Sequence, residues 1–353
     1  MSAQGTGNSR QAQAAFVISL DFELHWGVRD RQSPFSSYRN NLLGARQAIP
    51  KLLDLFEEFQ ISATWATVGF LFAHSKRELR DYFPRVRPDY ENKALDPFME
   101  PLGEDERDDP LHYAPSLISM IQERPRQEIG THTFSHYYCL EPGQTQESFA
   151  ADLESAVALA RKRGIEVRSL VLPRNQVNQS YLGLLAKHGI TNYRGPEKGW
   201  MHSPRPRMRN NAVSRGARLF DQYVPLSGSR TVSWNEVAES AGLYNVRGSM
   251  FLRPWSPKLQ IYDAWRQRRI RECLERAARS GGIFHLWWHP HNFGVNTDRN
   301  LSFLRSIFQD FRKLREQYGM RSLSMSGVAD EISFRRGCSK VEQSPVFLAA
   351  SGA

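Results

Sequence analysis

Short apolar runs alternate with amphipathic segments along this chain, and this alternation constrains its fold more than any other feature. Residues Phe16–Leu20 (FVISL) form a run typical of a buried strand. Residues Ala48–Phe59 then place apolar side chains at helical spacing, with Pro50 expected in the first helical turn. Because alternating strands and helices pack as helices around a parallel sheet, the sequence predicts an α/β fold.

The same order continues along the chain and is interrupted once. Further strands are predicted at Ser62–Phe70, Val167–Leu172 and Gly282–Trp288, and further helices at Leu117–Ile121, Glu147–Gly164, Ser180–His188 and Leu301–Tyr318. Residues 75–110 are polar, contain proline and show little periodicity, so we expect an insertion or lid over one face. We therefore predict a single domain at 15–334, a flexible leader at 1–14 and a flexible tail at 335–353.

Composition narrows the location of the protein. The three cysteines are few and widely spaced, which suits a reducing compartment, and no apolar run approaches the ~18 residues needed to cross a bilayer. The residues that follow Met1 lack the apolar segment of a signal peptide. We therefore predict a cytoplasmic protein without a transmembrane segment. The oligomeric state is left open.

The net charge of +10 favours an anionic partner. Basic residues concentrate at 203–218 and 265–279, where solvated surface is the simpler interpretation and contact with a phosphate-linked substrate is the functional one. Neither run carries a helix-turn-helix or a paired zinc site, so nucleic acid is not an expected partner.

Two acidic residues follow the first predicted strand, in the segment SLDFELHWG. Side chains two apart on a strand point the same way, so Asp21 and Glu23 should share one face at the carboxyl end, where β/α barrels carry their active sites. Two buried carboxylates are costly unless a cation compensates them. A salt-bridged pair and a metal site are both compatible with this pattern.

Histidines appear in two later segments. His132 and His136 in GTHTFSHYY are four apart, and on one helical turn their Cβ atoms would lie about 5–6 Å apart, close enough to bind one ion. His289 in GGIFHLWWHPHNFG follows the end of a strand and should reach the same edge of the sheet, whereas His285 is expected to pack inside the barrel. Two histidines and a carboxylate form a three-ligand set that leaves positions open for water and substrate.

In that order, SLDFE, THTFSH and WWHPHNF resemble the motifs of the polysaccharide deacetylase family (NodB-like, carbohydrate esterase family 4). Supporting segments are LLDLFEEFQISATWATVGF, EIGTHTFSH and VLPRNQVN, and the resemblance spans roughly Phe16–Phe293. The spacing of the two acids matches the D-x-E branch of the family. The resemblance implies a distorted (β/α)7-type barrel and a hydrolase that acts on carbon–nitrogen amide bonds.

The resemblance also implies roles for individual residues. Asp21 would be the general base, His289 the general acid and Arg174, beside Pro173, the arginine that orients the base. One divalent ion, expected to be Zn²⁺, would be bound by Glu23, His132 and His136. Substrate contacts are expected at Asn175, Trp288 and His291. His25 is an alternative third metal ligand, and His291 an alternative acid.

The family implies an N-acetylated sugar as substrate. Without an export signal, we expect a nucleotide-linked or lipid-linked sugar or another biosynthetic intermediate, whose phosphates the basic surface would attract. One alternative is hydrolysis of a cyclic amide or ureide, as in the allantoinase-like branch of the same superfamily. Another is a non-catalytic barrel that binds a glycan.

Overall fold

The computed structural model describes residues 13–197, 230–237 and 243–342, with side chains described as far as residue 336. Within these residues a single curled sheet of parallel strands is flanked by helices, and the strand order is β6-β5-β4-β3-β2-β1-β8-β7, with β9 beside the start of β1. The strands are β1 Ala15–Phe22, β2 Ala63–Thr67, β3 Gln127–Thr131, β4 Ser169–Val171, β5 Asn192–Arg194, β6 Tyr244–Asn245, β7 Met250–Phe251, β8 Ile283–Trp288 and β9 Arg321–Leu323. This confirms the predicted α/β architecture.

Most helices lie on the outside of the sheet, between successive strands. They are α1 Arg39–Phe59, α2 Lys76–Asp81, α3 Pro115–Glu123, α4 Gln146–Lys162, α5 Leu182–Leu185, α6 Trp234–Val237, α7 Asp263–Ser280, α8 Thr297–Tyr318 and α9 Met325–Glu342. In the part of the chain that the structure describes, no helix is long and apolar enough to span a bilayer.

The sheet curls because its two edges are joined by a short link. Residues 246–249 alone connect β6 to β7, and these strands are the two ends of the sheet. His285 of β8 holds this link in place, since its Nδ1 donates to the carbonyl oxygen of Val246 at 3.0 Å. The result is a distorted, incompletely closed barrel, as predicted.

The two faces of β1 bury different side chains. One face packs against α1 and α8, where the ring of Phe16 lies 5.2 Å from that of Phe311. The other face points into the barrel, where Ala15 and Val17 contact Met325 and neighbouring residues of α9. Helix α9 thus fills the amino end of the barrel with apolar side chains, and the polar residues Ser19 and Asp21 lie further along the same face, toward the carboxyl end of β1.

Helix α1 differs from its prediction at the amino end. It begins at Arg39, so Pro50 lies inside the helix rather than in its first turn. The longer helix arises because buried residues such as Leu42 and Ala45 continue the apolar face. It also approaches the loop that follows β8 very closely: a Cβ on Gly44 would lie 1.9 Å from the carbonyl oxygen of Gly294, so only glycine fits there.

Residues 75–110 hold α2 and two 3₁₀ turns, Lys93–Leu95 and Pro97–Met99. The segment packs through aromatic rings, with Phe83 stacked on Phe70 at 5.7 Å. It therefore has a defined place against the barrel, and its action as a lid stays a prediction.

Two other predictions concern the ends of elements. The tail predicted at 335–353 overlaps α9, which continues to Glu342. The last buried residue among the described side chains of this helix is Ile332, and the helix extends beyond it. The basic run at 203–218 lies outside the described residues, whereas 265–279 forms most of α7.

Candidate active site

The register of the sheet brings the predicted site residues to one level. Phe22 pairs with Thr67, and Thr67 pairs with Thr131, so these three residues lie side by side in the sheet. Glu23 and His132 each follow one of them directly and therefore lie at the same height. On the other side of β1, Leu20 pairs with Trp288, which places Asp21 beside His289. The carboxyl ends of β1, β3 and β8 therefore meet at one mouth of the barrel.

Three side chains converge there on a single point. The Oε2 atom of Glu23 lies 3.2 Å from Nε2 of His132 and 3.1 Å from Nε2 of His136. All three residues are buried. Burial lowers the pKa of His136 to about 4, against the opposing effect of Glu23, so its ring is neutral at pH 7.

The hydrogen bonds of His132 test whether this cluster suits a cation. Its Nδ1 lies 2.8 Å from the carbonyl oxygen of Val171, which can only accept, so Nδ1 carries a proton and, in the neutral ring, Nε2 presents a lone pair. That lone pair faces a carboxylate oxygen of Glu23, which is also an acceptor. A proton or a metal ion between the two atoms would remove their repulsion. Two imidazole nitrogens and one carboxylate oxygen that converge in this way fit a metal ion.

The predicted helical turn carrying the two histidines is wrong. His132 and His136 lie on a loop after β3 that contains the left-handed residues Thr133 (φ 66°) and His136 (φ 58°). The loop holds this strained shape because Asp152 of α4 accepts hydrogen bonds from the backbone N–H groups of Phe134 (2.7 Å) and Ser135 (3.1 Å). Asp152 is thus a buried residue that supports both histidines.

Asp21 is held by an arginine that the sequence analysis missed. Arg194, at the end of β5, donates from Nη1 to Oδ1 of Asp21 (2.7 Å) and from Nη2 to Oδ2 (2.8 Å). Its guanidinium also donates to Ser19 and Asn175 and lies over the ring of Trp287. Burial acts to raise the pKa of Asp21, but the charge of Arg194 keeps it below its usual value, so the carboxylate is ionised.

The prediction that Arg174 orients Asp21 is therefore corrected. Arg174 has a left-handed backbone (φ 56°) that directs its side chain to Asp30, at 2.5 Å, and over the ring of Tyr138. Asn175 keeps a place in the site, but its Oδ1 accepts from Arg194 rather than being free for substrate. The segment ITNYRG, which contains Arg194, follows the end of a helix at Gly189. The alternation of strands and helices predicts a strand there, so this segment could have been recognised as one.

Replacing Arg194 by methionine should impair activity more than the same change at Arg174. Without its guanidinium, Asp21 becomes an unpaired buried carboxylate, which costs about 3–5 kcal/mol of stability and raises the pKa of the base. We expect the acidic limb of the pH–rate profile to move to higher pH in Arg194→Met and to stay in place in Arg174→Met. Thermal unfolding of both variants checks that they are folded under assay conditions. An acidic limb at the same pH in both variants would contradict the assignment of Arg194 as the partner of Asp21.

His289 lies beside both carboxylates. Its Nε2 is 3.7 Å from Oδ2 of Asp21 and 3.5 Å from Oε1 of Glu23, and its side chain is 24% exposed, so substrate can reach it. His291 stacks on His289 with ring centroids 5.1 Å apart, but it is buried, and burial lowers its pKa to about 3. A buried neutral imidazole beneath His289 supports that ring and is poorly placed to touch substrate, contrary to the prediction for His291.

The two tryptophans of β8 alternate between its faces. Trp288 is fully buried among the helices, with its ring 6.3 Å from that of Phe56, so its predicted contact with substrate is wrong. Trp287 has the same parity as His289 and therefore faces the barrel interior, next to Arg194. Trp287 lies two residues before His289, so the alternation of side chains along a strand would have identified Trp287 as the site residue.

His25 lies outside this cluster. Its side chain points to His112, with Nδ1 at 2.9 Å from Nε2 of that ring, so it does not replace Glu23 as a ligand beside His132.

Comparison with known proteins gives one family and several structural likenesses. Residues 43–193 match the family model described as polysaccharide deacetylase, a range that includes both loop histidines and stops short of Arg194. A search of curated proteins finds no match.

Among solved structures, a candidate polysaccharide deacetylase from Mycobacterium smegmatis has a TM-score of 0.55 at 14% identity, over 95% of this chain and 96% of that one. PuuE allantoinase has a TM-score of 0.52 at 11% identity, over 91% of each chain. The α-amylase AmyC from Thermotoga maritima has a TM-score of 0.52 at 13% identity, over 90% of this chain and 74% of that one. These likenesses show a shared barrel fold.

Proposed function

We propose that the chain is a metal-dependent deacetylase of the polysaccharide deacetylase family, whose model matches residues 43–193. It would hydrolyse the N-acetyl group of a sugar or of a sugar-containing biosynthetic intermediate. The observation that carries the proposal is the convergence of Glu23, His132 and His136 beside an ionised Asp21 and an accessible His289.

The proposed resident cofactor is one divalent ion, with Zn²⁺ favoured by two imidazoles and a carboxylate. When bound, the ion would supply Lewis acidity to the amide carbonyl and lower the pKa of water. The low pKa of His136 and the hydrogen bond that turns Nε2 of His132 toward Glu23 support this role, because a metal ion binds neutral imidazoles.

The chain's own residues account for the proton transfers. Asp21 accepts a proton from the attacking water, because both of its oxygens are oriented by Arg194 and each keeps a further lone pair. As the carbon–nitrogen bond breaks, His289 donates a proton to the leaving amine, so acetate and a free amine are released. The separation of 3.7 Å between Asp21 and His289 leaves them on one side of a small reaction space.

A bell-shaped dependence of rate on pH is expected, because the base must be ionised while the acid is protonated. Arg194 lowers the pKa of Asp21, which places the acidic limb at a lower pH than for an ordinary aspartate, and loss of the general acid's proton produces the basic limb. Rates measured from pH 3 to 10, with metal content followed at each pH, test this. A rate that rises steadily with pH would exclude His289 as the acid.

The substrate class is tested with a panel that releases different products. Zinc-loaded protein should release acetate from N-acetylated sugars, with the greatest rate for nucleotide-linked or lipid-linked forms, whose phosphates suit the net charge of +10. Cyclic ureides serve as the second arm, because the acids Asp21 and Glu23 have the D-x-E spacing. Ring opening of the ureides without any acetate release would indicate a ureide hydrolase instead of a deacetylase. No turnover of either substrate class would favour a non-catalytic barrel that binds a glycan.

The cell location and partners complete the proposal. The free thiols of Cys139 and Cys273 support a cytoplasmic enzyme of carbohydrate metabolism. Nucleic acid is not proposed as a partner.

A further inference from the structure

A second histidine cluster lies away from the site at Glu23. The Nδ1 atom of His25 is 2.9 Å from Nε2 of His112, and Oε1 of Glu100 is 3.8 Å and 3.9 Å from these two nitrogens. Both imidazoles are buried, and the side chain of Glu100 is 17% exposed. His25 follows β1, whereas the other two residues lie at the end of the insertion and just beyond it.

The outer nitrogen of each ring is committed to a hydrogen bond acceptor. The Nε2 atom of His25 lies 3.0 Å from the carbonyl oxygen of Gln32, which can only accept, so Nε2 carries the proton. The Nδ1 atom of His112 lies 2.8 Å from Oδ2 of Asp109, a carboxylate that also accepts from the backbone N–H groups of Gly103 and Leu111. Nδ1 of His112 therefore carries a proton as well.

These assignments leave the inner nitrogens of the two rings facing each other. The Nδ1 atom of His25 and the Nε2 atom of His112 lie only 2.9 Å apart, so either a proton or a metal ion must lie between them. The carboxylate of Glu100 adds negative charge, yet 3.8 Å is too long for it to accept a hydrogen bond from either ring. A metal ion with bonds of about 2.0–2.2 Å could reach all three atoms.

We propose that His25, His112 and Glu100 bind a second divalent ion of the first-row transition-metal class, separate from the ion at Glu23. The ligand set matches that class, because imidazole nitrogen with carboxylate oxygen suits Zn²⁺ and its neighbours. The partners of the outer nitrogens, a backbone carbonyl and a carboxylate, are those that orient histidine ligands in metal sites.

This ion would join the insertion to the barrel. Near the cluster, the backbone N–H of His25 donates to the carbonyl oxygen of Leu111, and the indole N–H of Trp26 donates to that of His112. The turn that follows Glu23 is thus already bonded to the end of the insertion. A cation at Glu100 would add a stronger tie and hold residues 75–110 against the mouth of the barrel.

Metal stoichiometry distinguishes this site from the first. After zinc loading and gel filtration, wild-type protein should retain two equivalents, Glu100→Gln one, Glu23→Gln one and the double variant none. Glu91→Gln, an exposed carboxylate in the same insertion, is the matched control and should retain two. His112→Gln is a second variant in case Glu100→Gln changes the fold, which circular dichroism would reveal.

One equivalent in wild-type protein and none in Glu23→Gln would overturn the proposal and show instead that a proton on His112 joins the two rings. That result would leave the proposed function intact, because the first site would still hold its ion.

Limited trypsin digestion tests the structural consequence. In Glu23→Gln, where the second site alone remains, zinc should protect the insertion from cleavage at residues such as Arg85 and Lys93. Cleavage that zinc does not change in this variant would overturn the role of the ion in holding the insertion.

Discussion

Replacing His132 by alanine is expected to remove one equivalent of divalent ion and to slow deacetylation on the order of 10³–10⁴-fold. His132 is one of three ligands, and its Nε2 is held toward Glu23 by the bond between Nδ1 and Val171. Loss of a Lewis acid removes several kcal/mol of transition-state stabilisation, and each 1.36 kcal/mol is about a factor of ten in rate.

The measurement combines elemental analysis with acetate release from the best substrate of the panel. His188→Ala is the matched control, since His188 lies in the turn before Gly189 and contacts none of the ligands, so metal content and rate should be those of the wild type. Circular dichroism of His132→Ala checks the fold. Wild-type metal content in His132→Ala would show that the ion is bound elsewhere.

Replacing Asp21 by asparagine should preserve the ion and abolish most turnover, by about 10²–10⁴-fold as expected for loss of a general base. The amide is nearly isosteric and can still accept from Arg194, but it cannot take a proton from water. Asp21 is not among the converging ligand atoms, so metal affinity should change little.

Glu23→Gln is the opposite member of this pair. The Oε2 atom of Glu23 faces both His132 and His136, so the amide should weaken binding of the ion at this site together with activity. Metal content and kcat measured side by side separate the two roles. Loss of the ion in Asp21→Asn and its retention in Glu23→Gln would mean that the base and the ligand are interchanged.

Strand periodicity made the first part of this site predictable. The order of apolar and polar residues in β1 placed Asp21 on the inner face and toward the carboxyl end, and the register of β1 with β2 and β8 agrees. The same reasoning placed His285 inside the barrel, where its Nε2 contacts Ser19 at 2.8 Å. Period-two alternation is local, so it can be recognised before the fold is known.

Features that depend on loops and on distant pairing were not predictable in this way. The spacing of His132 and His136 fits a helical turn, but hydrogen bonds to Asp152 stabilise a loop with left-handed residues. These residues are not glycines, so the sequence gives no sign of their conformation. Arg194 reaches Asp21 because β5 pairs with β4, and β5 is a strand of three residues with little periodicity to recognise. The pairing of His25 with His112 likewise depends on how the insertion folds back.

The central claim is that one divalent ion lies between Glu23, His132 and His136, and anomalous diffraction at the zinc edge tests it most directly. Crystals of zinc-loaded protein should show a peak at about 2.0–2.2 Å from one carboxylate oxygen of Glu23 and from Nε2 of each histidine. Absence of a peak there, with zinc bound stoichiometrically in solution, would contradict the proposed metal centre.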